Sequence, residues 1–115
     1  MHELSIAISI VEMTENEVEL RGGGVVNAVH LKLGPLAGVV KDALLASYDM
    51  AAEGTTLEGS KLIIEEVPLV GYCPGCQTES VLPSIQSLTC PRCDTPISRV
   101  VKGRELEVFA LEMML

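Results

Sequence analysis

Large rings are almost missing from this sequence: it has no Trp, and Tyr48, Tyr72 and Phe109 are its only aromatic residues. Its core therefore has to be assembled from Leu, Ile, Val, Ala and Met. Cations are also scarce, with 8 Lys and Arg against 16 Asp and Glu and a formal net charge of −8. Nucleic-acid binding needs clustered Lys and Arg to displace counterions from phosphates, so this balance excludes it as a general activity. No apolar run approaches the ~20 residues of a membrane-spanning helix. The segment Leu4–Met13 is interrupted by Ser5, Ser9 and Glu12, and acidic Glu3 precedes it where an export signal would carry a basic leader. The expectation is a cytoplasmic protein without a membrane partner, in which thiols stay reduced.

Charge is also unevenly spread. Residues 1–68 hold eleven acids and four bases, whereas residues 69–104 hold only Glu79 and Asp94 against Arg92, Arg99, Lys102 and Arg104. The second stretch is rich in proline, weakly periodic, and contains every cysteine of the chain.

Along the first stretch, Ser5, Ser9, Glu12 and Asn16 trace a polar stripe at helical spacing, leaving Leu4, Ile6, Ala7, Ile8, Ile10, Val11 and Met13 for burial. The acidic and then triply glycine segment 14–24 reads as a flexible link. The run Gly22-Gly23-Gly24 lacks the spacing and the Lys-Ser/Thr ending of a phosphate-binding loop. From Val25 to Leu33 the pattern alternates, with Val29, Leu31 and Leu33 on one face and Ala28, His30 and Lys32 on the other, which predicts a strand. His30 on that polar face reads as a solvated residue.

Gly34 to Gly38 reads as a turn. Val40, Leu44, Tyr48 and Ala51 then recur at helical spacing, and Gly54 stands where a left-handed cap belongs. Leu62-Ile63-Ile64 opens a second strand that Pro68 closes, and 105–113 alternates as a third, expected beside the strand at 61–67. The resulting fold class is α+β: two helices packed on a small three-stranded sheet, with an inserted zinc-ribbon lobe of rubredoxin-like knuckles. The expected division is a domain of residues 1–68 plus 104–115 and a zinc-binding domain of residues 69–103.

Cys73-Pro-Gly-Cys76 and Cys90-Pro-Arg-Cys93 are two Cys-x-x-Cys turns with thirteen residues between them. Four sulfurs at ~2.3 Å complete the tetrahedral sphere of Zn²⁺. A reduced compartment argues against two disulfides, and a thioredoxin-like redox pair needs one such motif at a strand-to-helix junction. Metal binding also supplies folding free energy on the order of 10 kcal/mol to a segment with few apolar residues. A sphere closed by four thiolates leaves no position for catalytic water. The zinc is therefore read as structural, and no catalytic residue or enzyme activity is assigned.

Met1-His2-Glu3 admits two readings. Chain ends are ordinarily frayed, with His2 a plain surface residue. The same atoms can also close fused chelate rings: the α-amine of Met1, the amide and imidazole of His2, and the amide of Glu3. Ni(II) and Cu(II) favour such square-planar nitrogen ligation.

The opening Met1-His2-Glu3-Leu4-Ser5, the segment Gly54-Thr55 followed by Glu58-Gly59-Ser60-Lys61-Leu62, the two cysteine pairs and Arg104-Glu105-Leu106 occur in that order. In this combination the whole chain resembles the hydrogenase nickel-incorporation family (HypA/HybF). The resemblance implies a nickel metallochaperone that takes Ni(II) at Met1, His2 and Glu3 and holds structural Zn(II) at Cys73, Cys76, Cys90 and Cys93. It further implies as partners the large subunit of [NiFe]-hydrogenase and a nickel-handling GTPase accessory protein, with urease as an alternative client. The chain itself is expected to be a monomer or a homodimer. A different reading is a zinc-ribbon adaptor that docks onto proteins and never binds nickel. Many zinc ribbons place Gly after the second Cys of each turn, where this chain has Gln77 and Asp94.

Overall fold

The computed structural model describes residues 2–114. In chain order the elements are α1 (Glu3–Leu20), β1 (Val25–Leu33), a 3₁₀ turn (Pro35–Ala37), α2 (Lys41–Ala52), β2 (Lys61–Glu66), β3 (Val70–Cys73), β4 (Thr78–Val81), β5 (Arg99–Lys102) and β6 (Leu106–Met114). Strands β2, β1 and β6 form one three-stranded sheet in that order, and β4, β3 and β5 form another. The mixed α+β class expected from the sequence is the one observed.

Helix α1 departs from its expected length and face. It continues through the acidic segment to Leu20, so only Gly22-Gly23-Gly24 and their immediate neighbours form the link. Glutamates are good helix formers, and Thr14 and Val18 extend the buried stripe begun by Ala7, Ile10 and Val11. Glu17 and Arg21 add an exposed pair one turn apart at 2.9 Å. The buried stripe is narrower than the apolar count suggested: Leu4, Ile8 and Met13 are 40%, 43% and 51% exposed. Seven apolar residues in ten positions cannot all face one neighbour on a 100° repeat.

In β1 the face of Val29, Leu31 and Leu33 is buried as the alternation predicts, and Val26 and Ala28 on the other face are buried too. This strand is central in its sheet, which explains why both its faces are covered. The position of β6 corrects the expectation that it would lie beside β2: it pairs with β1, and β2 takes the opposite edge. Gly34 N donates to Glu105 O at 2.8 Å, joining the end of β1 to the start of β6, so these two strands run in opposite directions. Val67 N, just past β2, donates to Leu33 O at 2.9 Å, so β1 and β2 run the same way with α2 as their crossover. The most deeply buried strand occupies the centre, and two more exposed strands flank it.

The chain divides into two compact units, one of Met1–Leu31, Val39–Glu65 and Glu107–Leu115 and one of Lys32–Gly38 and Glu66–Leu106. The Gly34-Pro35 turn belongs with the second because Leu36 N donates to Gly103 O at 2.7 Å. A side chain on Gly34 would collide with the Gly103 carbonyl.

Leu44, Tyr48 and Ala52 form the buried stripe of α2. Gly54 follows at φ 77, the left-handed stop read from the sequence, and its N–H donates to Glu58 Oε1 at 3.1 Å. The next residues turn the chain into β2: Thr55 Oγ1 donates to Ala52 O at 2.7 Å, and Ser60 Oγ donates to Leu57 O at 2.5 Å. Since the Ser60 proton is spent on Leu57, the Tyr48 hydroxyl donates to Ser60 Oγ at 2.6 Å, within the core. Burial pushes the Tyr48 hydroxyl above its ordinary pKa, so it stays protonated and able to donate. Tyr48→Phe should destabilise the fold by about 1 kcal/mol, the worth of one buried hydrogen bond. A urea midpoint that falls with unchanged slope checks this, and an unmoved midpoint refutes it.

Candidate metal centre

The second unit is built around a hairpin. β3 and β4 pair antiparallel, from Val70 opposite Val81 to Cys73 opposite Thr78, so the Cys73–Cys76 turn is the hairpin tip. On its other side β3 pairs with β5, with Tyr72 opposite Arg99 and Val70 opposite Lys102. The second cysteine turn lies in the excursion between β4 and β5. It is closed by Asp94 N donating to Cys90 O at 2.9 Å and by Cys90 N donating to Thr95 O at 2.8 Å. Arg92 reaches back and donates to Ser80 Oγ on β4 at 2.8 Å, and the Arg99 guanidinium lies 4.4 Å from the Tyr72 ring centroid. Two of the lobe's cations are thus engaged within it.

These contacts bring the four cysteines together, their sulfurs all within 4.8 Å of one another. Cys73 and Cys90 are buried, Cys76 is half-buried and Cys93 is exposed. The separations are 3.5 Å for Cys73–Cys93, 3.9 Å for Cys76–Cys90 and 3.5 Å for Cys76–Cys93. A tetrahedron with Zn–S arms of ~2.3 Å has edges of roughly 3.8 Å. The cluster fits a structural zinc site.

Its protonation chemistry points the same way. Cys93 is lowered to about 6, first by the hydroxyl and then by the backbone N–H of Thr95, whose Oγ1 lies 3.1 Å from the sulfur. Cys90 is lowered by the backbone N–H groups of Arg92 and Cys93. Cys76 is pushed up to about 12 by the three neighbouring sulfurs, Cys93 foremost. Amides and hydroxyls ready some thiolates, but the last proton leaves only when a cation balances the crowded negative charge.

Gln77 and Asp94 stand at φ 53 and φ 59, so each cysteine turn keeps the left-handed residue that other ribbons fill with Gly. A side chain in this conformation costs roughly 1–2 kcal/mol. Asp tolerates it better than Gln, which has no short-range hydrogen bond to offer. Gln77→Gly should therefore tighten the first turn and slow zinc loss to a chelator. Cys90→Ala should abolish stoichiometric zinc and lower the helical signal little, because α1 and α2 lie in the other unit. Metal analysis and circular dichroism test both, and full zinc retention in Cys90→Ala would sink the four-sulfur assignment.

At the other candidate site, Met1 lies outside the described residues. His2 is exposed and extended (φ −85, ψ 124) as the N-cap of α1, and Glu3 is the first helical residue. His2 O accepts from Ile6 N at 3.2 Å, the bond that opens the helix. The amides of Glu3 and Leu4 have no residue four positions earlier to accept from them, as at any helix start. Glu3 is turned toward α2: its Oε2 accepts from Val40 N at 3.2 Å. That contact, followed by the Glu3 backbone N–H, holds the carboxyl below its usual range. Sequence reasoning missed this link, since no local pattern connects residues 37 positions apart. His30 also differs from its reading as a solvated residue: its Nε2 donates to Glu112 Oε2 at 2.9 Å, and its ring meets Phe109 edge-on at 5.9 Å.

A family model described as hydrogenase/urease nickel incorporation, metallochaperone, hypA matches residues 1–113. A relative from Chloroflexus aurantiacus named hydrogenase maturation factor HypA is 53% identical over 112 residues, covering 97% of this chain and 98% of its own. Relatives of the same name from Roseiflexus sp. and Geobacter metallireducens are 51% and 42% identical, covering 97% and 98% of this chain and 91% and 99% of their own. Among solved structures, the Ni metallochaperone HypA from Helicobacter pylori aligns with a TM-score of 0.68 at 18% identity, covering 99% of this chain and 98% of its own. A second structure, of a HypA protein, aligns at 0.72 and 18%, covering 99% and 97%. At that identity the structural likeness speaks for the fold alone.

Proposed function

This chain belongs to the hydrogenase/urease nickel-incorporation (HypA) family, and from that premise we propose that it is a nickel metallochaperone for hydrogenase maturation that takes Ni(II) at its free N-terminus. The single observation that supports this most is the junction at His2 and Glu3, where an exposed imidazole precedes helix-start amides that have no intrahelical partner. The ligands in this reading are the Met1 amine, the His2 amide and imidazole nitrogens, and the Glu3 amide.

A cation at a helix N-terminus ordinarily meets the positive end of the helix dipole. Deprotonated amide nitrogens cancel that charge at the metal. The ionised Glu3 carboxylate, tethered to Val40, keeps a negative charge nearby without itself being needed as a ligand. In the same reading Cys73, Cys76, Cys90 and Cys93 hold zinc as four thiolates. The metal staples the second unit, and its closed sphere provides no open position for substrate or water. The protein then delivers an ion and performs no bond chemistry. Its client is the hydrogenase large subunit, to which nickel passes in cooperation with a nickel-handling GTPase.

Calorimetric titration with Ni(II) tests this on the zinc-loaded native chain, on His2→Ala, and on a form with two residues added before Met1. Removing even outer-shell partners of a metal typically lowers affinity about 10–100-fold, so removing a ligand should lower it at least that much. The native chain should bind one nickel with the absorption of a square-planar diamagnetic ion, and the other two forms should not. Equal binding in all three overturns the N-terminal site and leaves a zinc-stapled adaptor.

A further inference from the structure

Strand β6 lies at an edge of its sheet with β1 as its one strand neighbour, so its outer side meets no other strand among the described residues. Between that edge and the C-terminal half of α1 runs a groove of about 400 Å³, with Met13 and Thr14 on the helix side and Val108, Ala110 and Leu111 on the strand side. Met13 is 51% exposed beside it. Thr14, only 2% exposed, closes the groove wall beside it.

Glu17 and Arg21 in the groove lining pair with each other, so it is the charge of the surrounding unit that narrows the choice of occupant. The unit that contains it holds twelve acids and three bases, a balance of −9, while the other unit holds four acids and five bases. A second copy would bring −9 against −9 and set Glu107 and Glu112 of one β6 near those of the next. A basic segment is instead drawn toward this surface. An exposed strand edge recruits extended chain through main-chain hydrogen bonds, with alternate side chains seated in the neighbouring groove.

We propose that the outer edge of β6, with the groove between it and α1, docks an extended partner segment whose apolar residues alternate with Lys or Arg. The segment pairs main chain to main chain along β6 and seats apolar side chains between Met13 and Leu111. The site is independent of the nickel reading, and its failure would leave that reading untouched.

The test uses the zinc-loaded full chain and a fluorescent nine-residue peptide of alternating Lys and Val, with two controls. One has Glu in place of Lys, and the other is N-methylated along one edge so that its main chain cannot pair. Fluorescence anisotropy reports affinity, and amide hydrogen exchange reports where the peptide sits. The Lys-Val peptide should bind saturably and protect amides within residues 107–113. Both control peptides, and Met13→Lys in the protein, should bind at least about tenfold more weakly. Several outcomes overturn the proposal. They are absence of saturable binding, equal binding of the N-methylated peptide, protection on β2 in place of β6, and concentration-dependent protection of residues 107–113 without peptide. The last would mean that a second copy takes the edge.

Discussion

Four thiol groups confined within 4.8 Å of one another cannot all become anions unless a cation sits among them, and the second half of the molecule is organised by that constraint. The lobe has little else to hold it. Leu69 and Leu82 are its buried Leu side chains, and its strands are four residues long. Its two cysteine turns come from separate segments, one a hairpin tip and the other an excursion between strands. A shared metal is what makes them a single structure. The effect extends along the chain. Because Val70 pairs with Lys102, the lobe's entrance and exit are adjacent, and the polypeptide re-emerges where β6 can begin beside β1. Without closure of this lobe, the third strand of the first sheet would be a long loop away from its partner.

The N-terminal site is governed by a different economy, that of helix ends. A helix start leaves amides without carbonyl partners, and His2 and Glu3 stand at such a start. Those amides are ordinarily left to water or to a capping side chain. His2, the N-cap of α1, makes no side-chain cap, and the Glu3 carboxylate accepts from Val40 N at the beginning of α2. The fold thereby ties the first turn of one helix to the N-cap of another, while the Glu3 N–H meets its own carboxylate. The segment Gly54 to Ser60 also finds its physical meaning in the fold. Glu58, Thr55 and Ser60 satisfy the end of α2 and the Tyr48 hydroxyl, and Thr56 Oγ1 donates to Glu15 Oε2 on α1 at 2.7 Å. These polar residues build the frame that carries the site and do not form a site of their own.

The distribution of charge follows the same division of labour. Nearly all of the net negative charge lies in the unit that carries His2 and Glu3, and the cysteine lobe is close to neutral with Arg92 and Arg99 engaged internally. An acidic surface raises the local concentration of divalent cations and of basic partners alike.

The sequence by itself determined whatever depends on short spacings. Two residues between cysteines bring a pair of sulfurs to one turn, an alternating run makes β1, and a Gly at position 54 stops α2. Each of these is decided by bond geometry within a few residues. It also identified His2 and Glu3 as a candidate chelate, because fused rings involve only consecutive atoms. Tertiary structure alone decided which surfaces found partners. Helix α1 runs on to Leu20 because Thr14 and Val18 find burial, while Leu4, Ile8 and Met13 do not. Strand β6 lies beside β1, His30 reaches Glu112, and Gln77 keeps a backbone conformation suited to glycine. A periodic pattern states that a face is apolar or that a backbone can turn. It carries no information about which distant segment will cover that face, because that choice rests on a competition among packings of the whole chain.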